Sequence, residues 1–100
     1  MKPNELLAKC TGFDWDDENT TKIWADHDVS PTECEQVFFN HPLTVAPDRE
    51  HSSQEIRYYS LGRTDSGRRL FIAFTLRGSL VRPISARDMT LKERRAYSRQ

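Results

Sequence analysis

The chain has 100 residues, 36% of them hydrophobic and 30% charged, and its formal net charge is zero. That leaves room for one domain with a modest core, and no apolar run approaches the roughly 20 residues that a membrane span needs. The patch Leu6-Leu7-Ala8 is too brief for a signal-peptide core, so the expected compartment is the cytosol, with free thiols at Cys10 and Cys34 rather than a bridge.

Asp14 or Asp16 is a plausible N-cap for a helix over 16–26, with acidic residues in its first turn and Ile23 and Trp24 inside. The stretch SPTECEQVFFN opens with a Ser cap, Pro at the first helical position and Glu33 at N3, and then sets Cys34, Val37 and Phe38 on one face, a strong second helix signal. HPLTVAPD fits a short edge strand between prolines, and REHSSQ over 49–54 is a polar loop. EIRYYSLG is an aromatic-rich strand ending at Gly62. After the turn TDSG, RRLFIAFTL alternates Leu70, Ile72, Phe74 and Leu76 on one face. A tight Arg77-Gly78 turn into SLVRPISA would place Thr75 opposite Leu80, Ala73 opposite Arg82 and Phe71 opposite Ile84, with Phe74 and Val81 on the core face. MTLKERRAYSRQ closes the chain as a helix with a Thr90–Glu93 capping box. Helices flanking an antiparallel sheet make the fold class α+β.

The zero balance hides two opposed halves. Residues 1–50 carry four Lys/Arg against eleven Asp/Glu, a net of −7; residues 51–100 carry eleven against four, a net of +7, and ten of those eleven are Arg. Arg offers a planar fork of donors that suits phosphate and carboxylate oxygens, whereas Lys is a point charge. The bias favours a surface for a polyanion or an acidic protein, unless the acidic half simply packs against the basic one. In the expected register, the sheet face opposite the core holds Phe71, Ala73, Thr75 and Arg82, with Arg77 at its rim and Arg87 just past the strand. Such a face suits gripping a phosphate and stacking a base. The competing structural reading pairs Arg82 with an acidic residue of the first half.

The segments FDWD, DHDVSPTECEQVFFN, EIRYYSLGRTDSGRRLFIAFTLRG and VRPISARDMTLKERRAY together resemble the BrnT toxin family, the ribonuclease halves of bacterial type II toxin–antitoxin pairs, from Phe13 to Tyr97. The resemblance implies a RelE-like α+β fold: an antiparallel sheet with two N-terminal helices and a C-terminal helix. It divides the chain into an extension, 1–12, and a single toxin domain, 13–100. It also implies an RNA endonuclease that inhibits translation and growth by cutting mRNA, with no cofactor and no membrane attachment. The implied partner is a BrnA-type antitoxin carrying a ribbon-helix-helix domain, so that DNA is reached only through the antitoxin.

Metal-independent RNA cleavage uses the 2′-OH as nucleophile on the adjacent phosphate. It needs a base, an acid for the 5′ oxygen, and cations on the phosphorane. Arg82 and Arg87 are the first candidates for the cations, followed by Arg57 and Arg77. Glu93 is a candidate base if it leaves its capping role, and Tyr58, Tyr59 and Tyr97 are candidate proton donors. Phe71, Thr75, Tyr97 and Arg94 are candidate RNA-binding residues; for Tyr97 the competing reading is core packing with its hydroxyl satisfied. His51, in the polar loop before the first arginine-bearing strand, could reach the site. His27, Cys34 and His41 match no zinc spacing, so no metal site is expected. Trp15 and Trp24 are expected in the core or between helices, with a partner interface as the sharper alternative. The other functional class is a catalytically weak module of the same fold that binds RNA or antitoxin without cutting. A DNA-binding regulator is disfavoured, because no helix-turn-helix is evident.

Overall fold

Cap residues set the helices. The computed structural model describes residues 3–100. In chain order it contains α1 (Pro3–Ala8), β1 (Gly12–Phe13), α2 (Asp17–His27), α3 (Pro31–Phe39), β2 (Thr44–Pro47), a 3-10 turn over Arg49–His51, β3 (Arg57–Arg63), β4 (Arg69–Arg77), β5 (Leu80–Asp88) and α4 (Leu91–Ser98). Asp16, Ser30 and Thr90 cap α2, α3 and α4, each in a reciprocal capping box with Asn19, Glu33 and Glu93 respectively. Asp28 ends α2 in the left-handed region, φ 53°, which Asp tolerates better than most residues.

The sheet order is β1-β5-β4-β3-β2, with β2, β3, β4 and β5 joined by antiparallel ladders. The expected purely antiparallel sheet is corrected at its edge, where β1 runs parallel to β5 (Gly12 beside Leu80, Phe13 beside Val81) and makes the sheet mixed. Backbone bonds from Thr11 N–H to the Ser79 carbonyl and from Asp14 N–H to the Val81 carbonyl, both 2.8 Å, extend that pairing. The direction follows from connectivity: β1 leads straight into α2, which packs against β5. Part of the segment read as an extension is therefore structured, and α1 lies beside β2.

The β4–β5 register also differs from expectation. Arg77 pairs with Leu80, so the turn residues are Gly78 and Ser79, and Gly78 has the positive φ (61°) that two-residue hairpin loops demand. Thr75 consequently faces Arg82, not Leu80. Phe74 faces Pro83 while Ala73 faces Ser85, so Ile84 is the extra residue of a bulge. Pro83 has no N–H for the ladder, which makes this a natural place for the break.

Alternation gives the sheet two unlike faces. Leu70 and Ile72 meet Ile23, Val29, Cys34 and Val37 from the α2–α3 side. Phe74, Tyr58 and Val81 continue that core, with Leu6, Leu7, Phe13 and Phe38 against them. Gly62 lets α3 approach closely, since a Cβ there would lie 2.6 Å from Val37 Cγ1. On the other face α4 covers one end only, where Leu61, Met89 and Tyr97 pack with Tyr59 and Phe71. Cys10 and Cys34 are both free, and burial pushes the Cys34 thiol up to about 12. Among the described residues, no helix is long and apolar enough to cross a membrane.

Candidate nucleic-acid interface

Directly opposed residues in antiparallel ladders share a face, so β3, β4 and β5 build three rows on the side that α4 leaves partly open. The rows are Arg57–Thr75–Arg82, Tyr59–Ala73–Ser85 and Leu61–Phe71–Arg87.

In the first row, Thr75 and Arg82 are already engaged within the fold. Thr75 is buried and its Oγ1 donates to the Ile56 carbonyl at 2.8 Å, so it is not the open RNA contact that was expected. The Arg82 side chain is 11% exposed, with Nη1 3.0 Å from Asp16 Oδ2 and 3.5 Å from Asp14 Oδ2. Asp16 also caps α2, and the Arg82 hydrogen bond holds its carboxyl below the usual carboxylate range. Asn19 reinforces the junction by donating to the Pro83 and Asp14 carbonyls, each at 3.0 Å. Arg82 is thus a strut between the start of α2 and the bulge of β5, rather than an open cation. Arg57 differs: among the described residues its guanidinium has no hydrogen bond or ion pair. Arg77 is exposed and pairs with Glu55 at 3.3 Å. A polar cleft of 340 Å³ is lined by Arg57, Arg77 and Arg82 together with Asp16, Glu55 and Lys22.

The middle row is the most open chemically. Tyr59 and Ser85 are half-buried, and among the described residues neither hydroxyl has a hydrogen-bond partner. From the middle row Tyr59 stacks on Phe71 of the third (centroids 5.5 Å apart, planes 14° apart), and the Arg87 guanidinium lies 4.1 Å from the centre of the Phe71 ring. Arg87 also grips Glu93 with both arms, at 2.7 and 3.1 Å, which keeps the Glu93 carboxyl below its ordinary range. Glu93 therefore combines its cap with an ion pair. Tyr97, the other expected RNA contact on α4, is buried, and its hydroxyl donates to the Pro42 carbonyl at 2.7 Å. Arg94 lies exposed on α4.

Trp15 is half-buried, donates to Glu35 at 2.9 Å and packs on the core. Trp24, expected inside, is 55% exposed on α2. Sequence reading missed Arg68. Its guanidinium bonds Asp88, Glu33 and the carbonyls of His27 and Asp28, tying the α2–α3 junction to the sheet. Nothing local in TDSGRR separates this arginine from its neighbour Arg69. The open hydroxyl of Ser85 was also missed, although its place between the arginines of RPISAR was visible. Among the described residues no group of three His, Cys, Asp or Glu stands ready for a metal ion.

Asp16, Glu55, Asp88 and Glu93 all have carboxyls lowered chiefly by a hydrogen bond from arginine. A lowered folded-state pKa stabilises the fold above the ordinary carboxylate value of about 4, and that contribution disappears as pH falls through the folded value. The thermal midpoint should accordingly hold from pH 7 to about 5 and drop progressively below about 4. An unchanged midpoint at pH 2.5, about 1.5 below that ordinary value, would show that these pairs contribute nothing.

The family model described as "Ribonuclease toxin, BrnT, of type II toxin-antitoxin system" matches residues 15–93. No curated protein matches the chain.

Proposed function

Because the chain belongs to the BrnT family of ribonuclease toxins of type II toxin–antitoxin systems, we propose that it is a metal-independent endonuclease of RelE-like architecture that cuts mRNA and thereby arrests translation and growth. The observation that carries this reading is the partly open sheet face, where unpaired Arg57 and the acid-paired Arg77 and Arg87 surround two unpartnered hydroxyls and an aromatic stack. Arg57 and Arg87 hold the non-bridging oxygens of the scissile phosphate as charge builds on it, and Arg77 and Arg94 attract the flanking phosphates. A base stacks on Tyr59, which is backed by Phe71. Glu93 holds Arg87 until phosphate replaces it; its depressed pKa makes it a poor proton acceptor. Arg82 fixes the row without touching RNA.

The family implies an antitoxin partner. It is proposed here to carry a ribbon-helix-helix domain and an acidic segment that covers Arg77 and Arg87 beside the buried Arg82 strut, both partners acting in the cytoplasm. The rival reading, a binding module that does not cut, draws on the carboxylates already present on those same three arginines. One assay separates them. Purified protein should cut RNA in EDTA and leave 2′,3′-cyclic or 3′-phosphate ends, and its expression should stop growth until an antitoxin is co-expressed. Cleavage abolished by chelation and restored by Mg²⁺ would indicate metal chemistry instead, and intact RNA with undisturbed growth would favour the binding module.

A further inference from the structure

Cleavage through the 2′-OH needs a proton acceptor, and Glu93 and Tyr97 serve poorly: Glu93 is held low by Arg87, and the Tyr97 hydroxyl is buried on Pro42. Among the described residues, His51 alone of the three histidines has a carboxylate against its ring. Its Nδ1 lies 2.9 Å from Asp48 Oδ2 and 3.1 Å from Oδ1. An ionised carboxylate only accepts hydrogen bonds, so the ring proton is fixed on Nδ1 and a neutral His51 presents a bare Nε2, the tautomer a general base requires.

The pair is anchored to the open row. Asp48 N–H donates to the Arg57 carbonyl at 2.8 Å. Ser52 Oγ accepts from Arg57 N–H at 2.9 Å and donates to the Asp48 carbonyl at 2.6 Å. Since Pro47 is the register partner of Tyr58, Asp48 stands beside Arg57 and extends the Arg57–Thr75–Arg82 row by one position. The His51 side chain is 62% exposed while Asp48 is only 19% exposed, so a reachable imidazole is backed by a sheltered carboxylate.

We propose that His51 is the general base of the cleavage, that Asp48 is its positioning residue, and that the phosphate reacts while held by Arg57. The proposal rests on the reading that the chain cuts RNA without a metal. Nε2 takes the proton of the 2′-OH as the 2′ oxygen bonds to phosphorus. The bond from phosphorus to the 5′ oxygen breaks with its electron pair on that oxygen, which takes a proton from water. The products are a 2′,3′-cyclic phosphate and a 5′-hydroxyl, and the imidazolium returns its proton to solvent.

The test compares wild type, His51→Ala and Asp48→Asn in single-turnover cleavage with EDTA present. His51→Ala should lower kcat by about 10²-fold or more, with an unchanged thermal midpoint and unchanged affinity for a non-cleavable 2′-deoxy strand. Added imidazole should recover part of that loss. Asp48→Asn should lower kcat less, at constant KM, because it frees the ring tautomer. His51→Ala cutting at the wild-type rate overturns the proposal, as does a loss traced to weaker strand binding that imidazole does not relieve. Wild-type protein inactive in EDTA overturns the parent reading itself, so the two failures are distinguishable.

Discussion

Phe74→Ala is expected to lower stability by about 3–5 kcal/mol, the usual range for deleting a buried aromatic ring. Phe74 is 1% exposed, meets Phe38 edge-on at 5.2 Å between ring centres and stacks on Tyr58 at 5.6 Å. It sits under α3 in the middle of β4, so the cavity would be walled by strands and a helix with little freedom to collapse. A domain of this size has a total stability of roughly 5–15 kcal/mol, so one substitution would consume a large share of it. Urea unfolding should show a lower midpoint at an unchanged slope. A loss below about 1 kcal/mol would mean that the neighbours close over the gap, at odds with the packing described.

That ring was legible in the sequence because period-two alternation in RRLFIAFTL is a local signal, and local signals were read well. The Ser30–Glu33 and Thr90–Glu93 caps, the two long hairpin strands and the edge strand at TVAP all depend on residues within a few positions of one another. What escaped depends on distant pairing. A two-residue strand joined to β5 across 68 residues (Gly12 to Leu80) has no periodicity to show, and the bulge at Ile84 exists only relative to β4. The wrong hairpin register followed from placing the turn on Arg77 and Gly78. Moving it by one residue reassigns every cross-strand partner.

The site was legible as composition and less so as assignment. Three arginines of the second half, Arg57, Arg82 and Arg87, stand in rows on the sheet face opposite the core, yet sequence could not say which arginines are already engaged. Arg82 and Arg68 bind carboxylates far away in the chain, while Arg57, ranked behind Arg82, has no ion pair among the described residues. Asp14 and Asp16 supply part of the first half's negative charge to the second half's strut. The bland reading of the charge asymmetry therefore explains Arg82, and the functional reading is left with the residues around the open middle row.

Among those, Arg87→Ala is expected to slow RNA cleavage by about 10²-fold or more, the usual consequence of removing one fixed donor from a developing charge. Arg87 lies against Phe71 and grips Glu93 with two bonds of 2.7 and 3.1 Å. Its guanidinium is therefore preorganised, and a phosphate replacing the Glu93 carboxylate would meet the same fork geometry. The substitution also removes a brace of α4, so a lost rate alone does not separate chemistry from stability. Arg87→Lys makes the distinction. Lysine keeps the charge beside Glu93 and much of the packing on Phe71 but cannot present two parallel donors. Its thermal midpoint should stay near that of the wild type while cleavage remains strongly reduced. Glu93 keeps its bond from Thr90 N–H at 2.9 Å in either variant, so the capping box survives as an internal control. Wild-type cleavage by Arg87→Ala would shift the phosphate to Arg57 and Arg77 alone, and Arg87 would then be a brace of the α4 end of the sheet.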